Sequence, residues 1–345
     1  MTMMKQEIRQ QPEALNACAE YNREEIRKLA ARLKAFAPKS VVIAARGTSD
    51  HAGMYGKYLI ETMLGIPVGL AAPSAITLYG GKMNYNDTFV LGLSQSGSAA
   101  DVLEILRAAN VTGGLTVSVT NRLDSPLAKE ASVHLYCNVG EEKSVAATKT
   151  FTSEMYLVAL LIAEWAGDQS FADKLANVPS LIAEMLDRDG EIQELVNRYR
   201  FMSECFVLSR GLAYPIALEA GLKIQETNYV RARAYPISDF HHGPFAMVEE
   251  GTPVLFYMPD GPAGKDSVEM LRKLQAAEAD ILVVSDSEEL RGFGTVSFAI
   301  PTCGDDGISV FCLAVFAQLF AASLAEVKGR NPDAPRGLKK VTITK

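Results

Sequence analysis

Short continuous apolar runs alternate with stretches of helical spacing along the first half of the chain. Ser40–Ala45 (SVVIAA), Val68–Ala71, Asp87–Leu93, Gly114–Thr120 and Val133–Cys137 read as strands, several of them apolar enough to be buried on both faces. Residues 13–37 carry an amphipathic helical pattern that ends at Pro38. A second helix is predicted from about Asp50 to Leu64, and a third over Ser98–Asn110, with Val102, Ile105 and Leu106 on one face. Strands alternating with helices predict a parallel sheet covered on both sides.

The second half repeats the plan. Glu204–Ser209 ends in Arg210-Gly211, as Ser40–Ala45 ends in Arg46-Gly47. Thr252–Tyr257 precedes Pro259-Asp260-Gly261 as a counterpart of Phe89–Gly97. Ala279–Val284 answers to Gly114–Thr120, and Thr295–Ile300 to Val133–Cys137. The fold class is therefore α/β, with two tandem doubly wound parallel-sheet domains. The expected division is an N-terminal helical segment (1–37), a first domain (38–168), a helical connector (169–196), a second domain (197–330) and a C-terminal tail (331–345).

The strand 89–93 runs directly into Ser94-Gln95-Ser96-Gly97 and then a helix, an arrangement that points backbone N–H groups and the helix dipole at one spot and attracts an anion. The turn has no lysine and lacks G-x-x-x-x-G-K-[ST] spacing, so it is not a nucleotide P-loop. A small phosphorylated metabolite fits better, the alternative being an ordinary strand-to-helix loop. Thr48-Ser49 ends another strand, and open parallel sheets bind ligands at the carboxyl ends of their strands near a switch point. Only the first repeat keeps hydroxyls in its glycine turn, so one anion site per chain is expected.

Composition narrows the classes. The 345 residues suit two domains, and 48% apolar with 22% charged residues is ordinary for a globular protein. A net charge of −7 argues against nucleic-acid binding as the main task. The five cysteines are scattered and never at C-x-x-C spacing, which speaks for a reducing compartment without structural zinc or a disulfide framework. The polar start MTMMKQEIRQQPEALN lacks the apolar core of a signal peptide. The stretch around 156–163 is read as the longest apolar one, and Glu164 interrupts it too soon for it to span a bilayer. The expectation is a cytoplasmic protein without membrane or nucleic-acid partners.

A second dense region is Glu219–Pro244. On a helix Glu219, Lys223 and Glu226 share one face, either as a solvated charge cluster or as the start of an acid/base site. A Pro-containing loop then carries His241-His242-Gly243-Pro244, half of the chain's four histidines. Ligands at metal spacing are missing, so no metal and no cofactor is expected. The basic tail Pro335-Arg336-Gly337-Leu338-Lys339-Lys340 is either a solvated end or a closing element bearing a reactive lysine.

Together these residues resemble the sugar isomerase (SIS) superfamily, in particular the isomerase half of glucosamine-6-phosphate synthase and stand-alone SIS-type deaminases. The likeness runs through E-I-x-x-Q-P at 7–12, Arg46–Ala52, Ser94–Gly97, Val145–Lys149, Glu219–Pro244 and the Pro-Arg-x-Leu-x-Lys tail. It implies that Ser49, Ser94, Gln95 and Ser96 hold a substrate phosphate and that Thr48 and Val145 contact the sugar. It further implies Glu226 as the base moving protons between C1 and C2, and His242 as the ring-opening group, donated across a homodimer with shared active sites. Lys340 would engage the carbonyl, with Lys223 a supporting cation. Ala99, Ala147 and Gln225 depart from the synthase pattern, which has a threonine, a serine and a lysine there. With no glutaminase half preceding the first strand, the expected reaction is amine loss: glucosamine 6-phosphate to fructose 6-phosphate and ammonia. The alternatives are a fructosamine-type 6-phosphate deglycase, a simple aldose–ketose isomerase, and a non-catalytic sugar-phosphate sensor.

Overall fold

A computed structural model describes residues 1–340. It contains two five-stranded sheets, each wholly parallel. In the first, β1 (Ser40–Ala44), β2 (Val68–Leu70), β3 (Thr88–Leu93), β4 (Leu115–Thr120) and β5 (Val133–Tyr136) lie in the order β2-β1-β3-β4-β5. In the second, β6 (Glu204–Ser209), β7 (Arg231–Pro236), β8 (Pro253–Tyr257), β9 (Asp280–Ser285) and β10 (Val296–Ala299) lie in the order β7-β6-β8-β9-β10. The two orders are the same, and the doubly wound α/β fold with duplicated domains expected from the pattern is what the chain forms. In each sheet the chain reverses direction between the first and third strands of the repeat, which is where ligands bind in this topology.

The described residues divide into two compact units. One comprises Gln10–Glu142, Ala147–Pro179 and the end of the tail from Lys339; the other comprises Met1–Arg9, Lys143–Ala146 and Ser180–Leu338.

In the first unit β3 and β4 are buried along their whole length, as central strands covered on both faces must be. Helix Lys149–Ala166 packs against helices Gln11–Phe36 and Thr48–Leu64. Val102, Ile105 and Leu106 of helix Ala100–Thr112 join Val90 and Leu127 in an apolar cluster, the face that their spacing predicted. The edge strand β5 is closed by Asn22: its Nδ2 donates to the Tyr136 carbonyl at 2.7 Å, and its Oδ1 accepts the Tyr136 N–H at 3.0 Å. One side chain thus substitutes for a missing neighbour strand.

In the second unit Phe206, Leu208 and Phe256 pack with Met270, Leu271 and Leu274 of helix Pro262–Ala276. Helix Asp306–Val327 packs on helix Tyr214–Asn228 and is buried from Gly307 to Ala325. Two sequence expectations are corrected here. The longest apolar stretch is not 156–163 but Asp306–Val327, whose 22 residues are long and apolar enough to cross a membrane. It is instead apolar all round because protein surrounds it. The segment read as a loop before the histidines contains β7, an edge strand paired in parallel with β6, followed by a short helix at Ile237–Phe240.

Candidate functional site

In the first unit β1 and β3 end side by side, and the two hydroxyl-bearing turns follow them. Gly47 (φ 55°) precedes helix Thr48–Leu64, and Gly97 (φ 63°) closes the Ser94–Gly97 turn, its N–H bonded to the Ser94 carbonyl at 3.0 Å. A β-carbon on Gly97 would collide with the Ser125 hydroxyl, so this position needs glycine for both space and backbone angle. Within the turn, Ser96 Oγ accepts the Ser98 N–H, and the Gln95 carbonyl accepts the Asn121 N–H at 3.0 Å. Among the described residues the N–H groups of Gln95 and Ser96 donate to no protein acceptor. Ala99, which precedes helix Ala100–Thr112, provides no side-chain cap. A strand end thus leaves open donors beside an uncapped helix N-terminus, the donor set an anion requires.

Not every predicted hydroxyl is equally available. Ser49 is buried, and its Oγ donates to Glu154 at 3.0 Å. Ser94 is buried, whereas Thr48, Gln95 and Ser96 are half-exposed.

The same unit contains Lys340. Its Nζ lies 2.8 Å from Oε2 of Glu142, a carboxylate whose Oε1 accepts the N–H groups of Thr148 (2.9 Å) and Thr150 (3.1 Å). Burial pushes the Glu142 carboxyl up, but the Lys340 charge and hydrogen bond and these two N–H groups outweigh it and leave it below its ordinary value. The tail beyond Lys340, residues 341–345, lies outside the described residues.

The second unit holds Lys223, Glu226, His242 and Val145. Helix Tyr214–Asn228 buries Lys223 completely and places its Nζ 2.6 Å from Glu226 Oε2 and 3.3 Å from Glu219 Oε1. Burial alone pulls the lysine down; the charges of Glu219 and then Glu226, with their hydrogen bonds, more than reverse this, so Lys223 is held as an ammonium. The cluster is therefore not a solvated one. Glu219 is buried with the lysine, while the Glu226 side chain keeps 21% exposure. His242 is exposed on the turn after Ile237–Phe240, and its ring makes no hydrogen bond among the described residues. The structure joins Lys223 to Glu226; it does not join His242 to them. Val145 is half-buried.

The glycine turn after β8 differs from that after β3. Asp286 Oδ1 accepts the Asp260 N–H at 2.7 Å, and Asp260 Oδ1 accepts the Gly261 N–H at 2.9 Å. The second repeat fills its turn with its own carboxylates, in line with the single anion site expected. A cleft of about 590 Å³ in this unit, lined by Phe201, Arg231, Arg233, Met247 and Glu250 among others, carries none of the predicted residues. No group of three or more His, Cys, Asp or Glu is placed to hold a metal among the described residues.

Sequence reasoning passed over Glu142 and Glu154. Their side-chain partners, Lys340 for Glu142 and Ser49 for Glu154, lie far along the chain, and neither glutamate belongs to a local motif.

Duplicated 2-1-3-4-5 sheets, one with an open glycine turn at its switch point, define a two-repeat doubly wound α/β protein. The SIS domain profile matches residues 36–164 and 203–325, one match in each repeat, and the chain belongs to the SIS domain family. It is 34% identical over 88% of its length to the isomerizing glutamine–fructose-6-phosphate aminotransferase of Methanothermobacter thermautotrophicus, covering 51% of that protein. It is 32% identical over 99% of its length to that of Aquifex aeolicus, covering 57%. The chain thus spans about half the length of the curated relatives it matches. Among solved structures, one from Silicibacter pomeroyi, described as a candidate phosphosugar isomerase, has 30% identity and a TM-score of 0.88, covering 96% of this chain and all of that one. The C-terminal domain of the glucosamine-fructose-6-phosphate aminotransferase of Francisella tularensis has 26% identity and a TM-score of 0.87, covering 97% and 98% of the two chains.

Proposed function

We propose that this chain is an enzyme that opens a 6-phosphorylated aminosugar, isomerises it between aldose and ketose forms and releases the amine by hydrolysis. The reaction is glucosamine 6-phosphate plus water to fructose 6-phosphate plus ammonia. The observation that carries the phosphosugar part is the turn at 94–97 with its open N–H groups, in contrast to the carboxylate-filled turn of the second repeat. The names of the relatives combine amino transfer, fructose 6-phosphate and isomerisation, which supports the choice of an aminosugar phosphate.

In this reading Ser94, Gln95 and Ser96 hold the phosphate, with Ser49 contributing at the expense of its bond to Glu154. Thr48 and Val145 contact the sugar. His242 opens the ring, and its exposure suits the proposed donation from a second copy in a homodimer. Glu226 takes a proton from one of the adjacent carbons C1 and C2 and returns it to the other, with the Lys223 ammonium fixing the carboxylate's position. Lys340 meets the substrate carbonyl after leaving Glu142. No cofactor enters this scheme.

The test is to follow ammonia and fructose 6-phosphate together from glucosamine 6-phosphate. Both are expected, and Glu226→Gln is expected to lower kcat by roughly 10²–10⁴-fold while fructose 6-phosphate still raises the melting temperature. Full activity of Glu226→Gln would remove Glu226 from its role. A thermal shift without turnover would replace the enzyme by a sensor.

A further inference from the structure

Arg46 lies two residues beyond the end of β1, and its Nε lies 2.6 Å from Oδ2 of Asp101. Asp101 stands in the first turn of helix Ala100–Thr112, the helix that the 94–97 turn opens, and its side chain is only 4% exposed. Its other oxygen accepts the Val102 N–H at 2.9 Å. A buried carboxylate therefore stands in the first turn of the helix that follows the proposed phosphate turn, and Arg46 is the cation paired with it. The second repeat keeps the same pairing: Arg210 follows β6 and bonds Asp266 on helix Pro262–Ala276. There both side chains are exposed, at 41% and 52%, and the adjacent turn is filled by Asp260 and Asp286. The pairing recurs in both repeats, but only beside the open turn is its carboxylate buried.

We propose that Arg46 is a positioning residue of the anion turn: it neutralises the buried Asp101 carboxylate and ties the β1 turn to the start of the helix, so that a sugar 6-phosphate binds there without facing an unpaired negative charge. This rests on the phosphate reading above. Arg46 acts through Asp101, and removing both charges restores what removing the Arg46 charge alone destroys.

The test measures KM and kcat for glucosamine 6-phosphate and calorimetric Kd for fructose 6-phosphate in the full chain. Arg46→Gln raises KM and Kd roughly ten- to a hundred-fold, the scale of one uncompensated charge near a phosphate, with kcat little changed. Arg46→Gln combined with Asp101→Asn returns both constants to within a few-fold of the unaltered protein. Arg210→Gln changes neither. A double variant as weak as Arg46→Gln, or an Arg46→Gln that binds normally, overturns the proposal. Should Arg46→Gln fail to fold, Asp101→Asn alone decides: it binds at least as tightly as the unaltered protein, and weaker binding overturns the proposal. Fructose without the phosphate separates the two readings. If the unaltered protein binds fructose far more weakly than fructose 6-phosphate and Arg46→Gln binds normally, only the Arg46 inference fails; if fructose binds as tightly as fructose 6-phosphate, the phosphate reading itself fails.

Discussion

Replacing Lys223 by methionine tests whether the buried cluster on helix Tyr214–Asn228 is held by charge balance. The lysine ammonium is fully buried between Glu219, also buried, and Glu226. Methionine fills nearly the same volume, so the perturbation is electrical. It leaves the Glu219 carboxylate in the interior without its cation. Breaking one side of a buried pair costs about 3–5 kcal/mol. For a unit of this size each kcal/mol moves the melting temperature by roughly 2–4 °C, so a fall of roughly 6–20 °C is expected in calorimetry. Adding Glu219→Gln removes the stranded charge and is expected to recover most of the loss. Activity does not return with it, because Glu226 still lacks the ammonium at 2.6 Å. The unaltered protein carries a pH signature of the same pair. Folding raises the Lys223 pKa, so its contribution is fully present below about pH 10.4 and is lost as pH rises through the higher folded value. Lys223→Met lacks that alkaline loss. A single variant melting within about 2 °C of the unaltered protein, or a double variant no more stable than the single, refutes the charge-balance argument.

Further expectations concern other parts of the chain. Gly97→Ala places a methyl against Ser125 at a positive φ and is expected to destabilise the turn by about 1–3 kcal/mol and to abolish the thermal response to fructose 6-phosphate, read by differential scanning fluorimetry. Glu142→Gln removes the partner of Lys340. Since folding lowers the Glu142 pKa, the stability it contributes is present above about pH 4.3 and lost as pH falls through the folded value, and the variant is expected to show a flatter acid melting profile. Asn22→Ala strips the closure of β5 and is expected to cost about 2–3 kcal/mol in urea unfolding, with no change in KM. Mixing Glu226→Gln chains with His242→Ala chains is expected to restore turnover if His242 serves a second copy; no recovery in mixed dimers removes the shared-site proposal.

The central strands were legible because burial on both faces forces a short continuous apolar run, as in Phe89–Leu93, ended by turn residues. Strand β7 was not, because an edge strand needs no such run. Arg231 and Arg233 face solvent and Pro236 ends it. The repeat carries the missing signal: β7 is the second half's counterpart of Val68–Leu70. Helix Asp306–Val327 carries no helical periodicity because an enclosed helix loses its polar face, and with it the pattern that marks helices from sequence. In the candidate site the turns were legible since their chemistry is local. Ser49–Glu154, Arg46–Asp101 and Lys340–Glu142 were not, because each pair is separated by a long stretch of chain and no side chain advertises its distant partner.

The two glycine turns also indicate how the repeats divided their work. A strand-to-helix turn exposes N–H groups whether or not a ligand is present, and the chain can satisfy them or leave them to solvent. In the second repeat Asp260 and Asp286 accept them, and Asp286 also receives the Ser309 hydroxyl at 3.2 Å, knitting the turn to helix Asp306–Val327. That turn is complete as it stands, and an added anion would meet two carboxylates. In the first repeat the N–H groups of Gln95 and Ser96 meet no protein acceptor among the described residues, and Asp101, in the first turn of the following helix, is paired with Arg46. An open turn contributes less to the stability of the empty protein and more to that of the occupied one, since a ligand bound only to the folded state stabilises it by mass action. If the first turn takes the proposed phosphate, the asymmetry between the repeats is also one in where ligand binding adds stability, with the gain expected on the unit built around β1 and β3.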